Sequence, residues 1–496
     1  MPTQRIMMRP FATLAPVPAA GFNPVALMLI MVATAVALIT FNPLSTLVGL
    51  AGLVVLFKFF WTRTQPAVMF WALLHQWLQV NAGLLYADLL GVDHSEIFTY
   101  KVHADEAYLL GMTSLFALGL GLWIMTRKLS RERLDDWLAR LDPRKCLKAY
   151  VVFIIFFAVL SSLPLPGVGQ VILALSSLKW GFFYIFFCSV LHTGRYRFPL
   201  LICILLEFVF SLYSIFASFR AILIMPIMLL PVFFKGRIRP SHLLAGFLLL
   251  AFLVNVGIVW TAVKQDYRLF MAQGEKGQVI NVSRNVALGR LGELVQSVDG
   301  KRYQEGAIAL VYRLFYIDFL SGLIGNVPER LPFEEGANSM KSILHVVTPR
   351  MFFPEKEVLH DAVQLNKYMG RFVADYTTTS MSIGYVGDFY IDFGFFAPLG
   401  VFVLGLIIGY LYRLLYRQDP VGGWGLFLAM PLFFTIYVFE ITLIKMFGVM
   451  VTYVLVMLMV SKFLLPRIKR SVELGGVAPS GVRTGHLNPR RARLAH

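Results

Sequence analysis

Charge is scarce in this chain: Asp, Glu, Lys and Arg make up 15% of its 496 residues. An ordinary soluble protein carries about 25%, so a chain that lives mainly in water is excluded. Cysteine is scarcer still. Cys146, Cys188 and Cys203 fall in a basic loop and two apolar runs, and no structural disulfide is expected. There is no G-x-x-x-x-G-K-[ST], no nucleophile-elbow serine and no C-x-x-C. Nucleotide hydrolysis and covalent acyl chemistry therefore have no motif to stand on. No internal repeat is visible.

What is there is apolar. Hydrophobic residues make up 58% of the chain and mean hydropathy is +0.70. Crossing the hydrocarbon core takes about 20 apolar residues. Runs that meet or approach this lie near 22–40, 44–60, 67–88, 107–125, 149–163, 180–192, 199–217, 221–235, 243–262, 394–412, 424–442 and 446–464. Segment 164–179, with Pro164, Pro166 and Gly167, reads as too short and broken to span. The expected fold is all-α: a polytopic transmembrane helix bundle of about 12 spans, with one large outward segment containing short helices. Arg5 and Arg9 precede the first run, which lacks a small-residue cleavage site and reads as a retained anchor.

The net charge of +17 is placed with a bias. Termini and alternate loops, including the stretches 127–148 and 462–493, hold 27 of the 45 basic residues, and the opposite short loops hold only Lys101, Lys179, Arg220 and Lys445. The other 14 lie in 263–393 beside 15 acids. By the positive-inside rule both termini are cytoplasmic and 263–393 faces outward. The charge then sits against anionic lipid headgroups rather than nucleic acid. The organisation expected is nine spans in 1–262, an outward segment 263–393, three spans in 394–464 and a basic, disordered tail in 465–496.

A connection of about 130 residues usually carries function. Within it, 304–325 places Ile308, Val311, Phe315, Phe319 and Leu323 at helical spacing, with Arg313 and Asp318 elsewhere on the turn. Such a helix fits the headgroup layer and equally the core of a small lobe. Shorter helices are expected at 284–297 and 337–346. The stretch from Thr348 to Lys356 opens on Pro349-Arg350 and is extended. Asp388 and Asp392 lie one helical turn apart before a span.

Some charges sit where lipid penalises them. Glu207 is near the middle of an apolar run, at a cost of roughly 2.5–3.5 kcal/mol on insertion scales. Ser211, Ser214 and Ser218 continue its stripe towards Arg220, in a tight outward turn. Glu207 reads as a functional carboxylate or as one satisfied inside the bundle. Arg220 is placed to grip a phosphate, and Glu440 and Lys445 read as an ion pair. The loop 88–106 carries Asp88, Asp93, His94, Glu96, His103, Asp105 and Glu106 without a metal-ligand spacing, and reads as a solvated acidic loop.

Three patterns carry a family resemblance: the Ser-Phe-Arg turn at 218–220, Pro349-Arg350 through Pro354 to Lys356, and S-x-G-x-x-G-[DE]-x-Y-x-x-F-G from Ser382 to Gly394. In these, and in its large late loop, the chain resembles the Wzy-type O-antigen and exopolysaccharide repeat-unit polymerases over roughly 199–412. It departs from them where Ile324 follows Arg313 by eleven residues in place of a glycine, and where Asp388 replaces a glutamate. The resemblance implies a cofactor-free, metal-free glycosyltransferase of the bacterial inner membrane. Its periplasmic loop would join undecaprenyl-pyrophosphate-linked repeat units, with a flippase and a chain-length regulator as partners. Fixed cations would stabilise the leaving pyrophosphate: Arg220, Arg313, Arg350 and Arg371 in that order, then Arg290. A carboxylate would take the acceptor's proton: Asp388 first, Glu207 or Asp392 in reserve. Tyr376, Tyr385 and Tyr390 would stack on sugars or anchor the interface. An O-antigen ligase-like transferase, a lipid-linked oligosaccharide transporter or flippase, and a non-catalytic scaffold are the rival readings.

Overall fold

The computed structural model describes residues 24–62, 66–129, 134–163, 168–212, 219–229, 240–273, 280–348, 353, 360–370, 381–419 and 423–474. Among the described residues the fold is all helix, with no β-strand. In chain order come α1 (Pro24–Leu38), α2 (Pro43–Phe60), α3 (Val68–Leu90), α4 (Ala104–Thr126), α5 (Asp135–Leu138) and α6 (Pro143–Ser162). Next are α7 (Gly169–Ser176), α8 (Leu178–Thr193), α9 (Arg197–Leu212), α10 (Phe219–Leu229) and the long α11 (Pro240–Ala272). The outward segment of the sequence reading holds α12 (Arg284–Gln296), α13 (Gly300–Leu314), α14 (Asp318–Ile324), α15 (Ala337–Val347), α16 (Asp361–Met369) and α17 (Gly384–Phe393). The chain closes with α18 (Ala397–Tyr416), α19 (Trp424–Ala429), α20 (Phe433–Ile436), α21 (Leu443–Phe463) and α22 (Leu465–Val472). Local chemistry sets many of these ends. Prolines open α2, α6, α18 and α22, where the missing N–H costs nothing. Left-handed Gly91 and Gly194 close α3 and α8.

Among the described residues, seven stretches are long and apolar enough to cross a membrane: Pro43–Phe60, Lys101–Thr126, Pro143–Ser162, Gly169–Thr193, Gly246–Ala272, Gly384–Tyr416 and Leu443–Phe463. They point to a membrane protein. The expected runs near 22–40, 199–217 and 221–235 are described as helices of 15, 16 and 11 residues, short of that test. Two expectations change. Of segment 164–179, expected to be too short and broken to span, the part from Gly169 joins a span, since α7 and α8 form one apolar stretch; Pro164, Pro166 and Gly167 lie outside the described residues. The run 304–325 is not one helix: α13 and α14 meet at 56°. The break follows from packing, because Phe315, Tyr316 and Ile317 are buried. The Phe315 ring occupies the space a side chain on Gly83 would need, and the Tyr316 N–H turns to the carbonyl of Gln79 at 3.1 Å.

One hydrophobic core runs through most of the bundle, and a smaller one joins α11 to α12 through Val263, Tyr267, Met271 and Leu291. Helices α4 and α18 pack backbone to backbone. A β-carbon on Gly121 would lie 2.5 Å from the Phe402 carbonyl, and one on Gly405 2.5 Å from that of Leu118. Small residues serve this close approach in apolar surroundings. The expectation of a disordered tail from residue 465 is corrected for its first ten residues. There α22 docks back, with the Asp142 N–H on the Val472 carbonyl at 3.1 Å and the Leu474 N–H on that of Arg140 at 2.8 Å. Trp424 Nε1 donates to Glu473 at 3.1 Å, and Lys469 pairs with Asp419. This assembles the basic stretches around 140, 417 and 469 at one end of the bundle. The turns at 94–103 join α14 and α16 elsewhere, with Asp318 accepting the Thr99 N–H at 2.7 Å.

Candidate functional site

The expected span 424–442 stops being helical after Ile436, and Tyr437 to Thr442 are irregular backbone. Such backbone persists in apolar surroundings only where its polar groups find partners. Helix α3 supplies several from a polar row. Gln76 Nε2 donates to the Ile436 carbonyl at 2.6 Å, His75 Nδ1 lies 2.9 Å from that of Tyr437, and Gln79 Oε1 accepts the Phe439 N–H at 2.8 Å. The residues 382–394 support the same segment from the other side. Ser382 donates to the Glu440 carbonyl. Gly384, at φ +81°, lets the Phe439 carbonyl approach to where a β-carbon would be only 2.7 Å away. Tyr385 locks Gln76 with a 2.7 Å hydrogen bond. The most specific sequence pattern is therefore the mould of the Glu440 segment.

The charge of Glu440 reaches Lys264 and Arg313, two of four cations brought near one another. Arg220 lies in the first turn of α10, Lys264 and Arg268 one turn apart on α11, and Arg313 in the last turn of α13. Lys264 lies in the fields of Arg313, Arg268, Arg220 and Glu440, and Arg313 in those of Arg220, Glu440 and Tyr437. Arg268 feels both Arg313 and Arg220. Tyr303, bonded at 2.5 Å to Asn255, and the Arg302–Asp266 ion pair clamp α13 onto α11. Among the described residues no carboxylate pairs with any of the four cations, and Arg268 Nε is buried with no partner. An unpaired buried donor asks for an explanation, and like charges held together ask for an anion. The 33 residues of α11 reach about 50 Å against a hydrocarbon core of about 30 Å. Its exposed apolar belt runs from Leu244 to Val254, and Lys264 follows about three turns later.

The other expected site residues fall elsewhere. Asp388 is buried at 2% exposure, not at an open surface. Its Oδ2 accepts the Leu443 N–H at 2.7 Å and its Oδ1 accepts from Gln364 at 3.0 Å and Asn338 at 3.4 Å. Asp392 caps α15, accepting the backbone N–H groups of Gly336, Asn338 and Ser339 at 3.2, 3.0 and 2.8 Å. Glu207 is satisfied inside the bundle by Tyr150 at 3.0 Å and Lys179 at 2.9 Å. Arg290 pairs with Glu293 at 2.8 Å, one turn on along α12. Tyr385 and Tyr390 are buried and cannot stack on a sugar. Arg350, Lys356, Arg371 and Tyr376 lie outside the described residues. The expected Glu440–Lys445 pair is replaced by Lys445–Asp361, which leaves the Glu440 carboxylate without an ion pair among the described residues. In the 88–106 loop, Asp88 accepts from Asn42 at 2.8 Å, Glu96 pairs with Lys101, and His94 lies 3.3 Å from Asp105. Among the described residues no three or more His, Cys, Asp or Glu side chains gather as metal ligands.

Lys264 and Arg268 were not singled out in the sequence. Their signal was two cations four residues apart at the end of an apolar run, which reads equally as an interfacial anchor. A family model described as Domain of unknown function (DUF8712) matches residues 94–464. No curated protein and no solved structure matches the chain.

Proposed function

We propose, for a chain that belongs to the family described as Domain of unknown function (DUF8712), that the four cations hold the pyrophosphate of a lipid-linked glycan. The protein then transfers that glycan to a second lipid-linked repeat unit. The reading is a repeat-unit polymerase at the periplasmic face of a bacterial inner membrane, using undecaprenyl-pyrophosphate-linked donor and acceptor. The observation that carries it is the convergence of Arg220, Lys264, Arg268 and Arg313 without a paired carboxylate among the described residues. In this reading the shorter helices α1, α9 and α10, with α3 and α19–α20, complete a bundle of about 12 spans with both termini cytoplasmic.

The chemistry suits these groups. Pyrophosphate leaves as an anion, and preformed cations stabilise charge as it develops. Guanidinium forks reach two phosphate oxygens at once, and an ammonium adds a compact point charge. Lipid would bring the diphosphate to headgroup depth, where the apolar belt of α11 has ended. Arg350 and Arg371 remain candidates for the same anion from the sequence. Purified protein in nanodiscs, given undecaprenyl-pyrophosphate-linked repeat units and no nucleotide, is expected to build a ladder of longer chains. Units that stay single would sink the polymerase reading. Units that stay single but, in sealed proteoliposomes, cross the bilayer only when the protein is present would establish transport instead.

A further inference from the structure

We infer that Glu440 is the base that takes the proton from the acceptor hydroxyl, an assignment that rests on the glycan-transfer reading above. A base must come within hydrogen-bond reach of the acceptor hydroxyl as it attacks, and keep an oxygen free. The other nearby carboxylates are engaged: Asp388 by Leu443, Gln364 and Asn338, and Asp361 by Lys445. The side chain of Glu440 has neither a hydrogen bond nor an ion pair among the described residues, although its carbonyl holds Ser382. Its charge reaches Lys264, Arg313, Tyr316 and Tyr437.

The fold invests heavily in this position. His75, Gln76 and Gln79 from one side and Ser382 from the other hold the irregular backbone that carries it. A continuous helix would have needed none of them. In the step, the acceptor O–H bond breaks and its proton passes to a Glu440 carboxylate oxygen. The acceptor oxygen bonds to the anomeric carbon of the donor. The bond from that carbon to the pyrophosphate oxygen breaks with its electron pair on the oxygen, and lipid pyrophosphate leaves against the cations. Water then takes the proton from Glu440.

The alternative role is charge balance, with Glu440 only offsetting its cationic neighbours. The two roles separate in E440Q and E440D full-length protein in nanodiscs. Binding is read with undecaprenyl pyrophosphate alone and transfer with undecaprenyl-pyrophosphate-linked repeat units. A base role is expected to leave E440Q binding undecaprenyl pyrophosphate at least as tightly as wild type while elongation falls about 100-fold or more. E440D, which keeps a carboxylate, should retain a measurable part of the rate. If wild type elongates and E440Q matches it, the base assignment is overturned and the transfer reading stands. If wild type binds undecaprenyl pyrophosphate and never elongates, both fall.

Discussion

The carboxylate of Asp388 accepts the backbone N–H of Leu443, the first residue of α21, at 2.7 Å. One turn after Asp388 on α17, Asp392 does the same for the start of α15. Helix starts leave N–H groups without partners and carry a partial positive charge. The two aspartates thus fix where the irregular segment before α21 ends and where α15 begins. Asp388→Ala is expected to destabilise the protein by about 1–3 kcal/mol, the cost of orphaned buried donors. Thermal unfolding in detergent measures it. Loss of activity in this variant should track loss of Tm, unlike in E440Q.

Removing one cation should act on the transition state. Arg220→Ala, Lys264→Ala, Arg268→Ala and Arg313→Ala are each expected to slow elongation by about 10²–10³ with the protein still in the membrane. Arg290→Ala removes an exposed i,i+3 ion pair, worth about 0–1 kcal/mol, and should leave chain length normal. Glycan ladders from cells carrying each variant make the comparison. A ladder from Lys264→Ala as long as wild type would remove that residue from the site.

Gly384 combines φ +81° with a backbone oxygen where a β-carbon would have to sit. Gly384→Ala should therefore push the Phe439–Glu440 backbone away. The expected cost is more than about 1 kcal/mol in stability, together with a fall in elongation. Thermal unfolding and rate measured on one preparation test both parts.

One pH effect follows from the loop before α15. The Tyr368 hydroxyl at 2.6 Å and then the Lys367 ammonium at 3.1 Å hold the Glu334 carboxyl below its ordinary value of 4.5. The native state binds this proton less readily than the unfolded chain. The contribution of Glu334 is therefore fully present above the ordinary glutamate range and is lost as pH falls through the lowered native value. Stability of wild type should drop more than that of Glu334→Gln between about pH 5 and pH 3. Equal slopes would show the contact to be idle.

Much of this was legible in the residues. The apolar runs, the prolines that open α6 and α18, and the glycines that close α3 and α8 are local signals. Ser382 to Gly394 was legible as a pattern, but its purpose was not, because its partners are Gln76 on α3 and Phe439 near α21. The kink after Arg313 was hidden for the same reason: a ridge of apolar residues reads as one helix until Gly83 makes room for Phe315. The aspartate pair was read as chemistry because a carboxylate beside a span looks exposed, whereas folding surrounds Asp388 with donors. Lys264 and Arg268 needed α10 and α13 beside them before they meant anything.

The return of α22 onto the 140–145 segment has a practical side. Stopping the chain at residue 464 would strip the indole of Trp424 of its glutamate, leave Lys145 without the Glu473 carbonyl it contacts at 2.8 Å, and uncover Leu141. Topology reporters or affinity handles joined there would sit on a loosened bundle and read poor expression as wrong orientation. Joined after Leu474, they would keep the clasp shut.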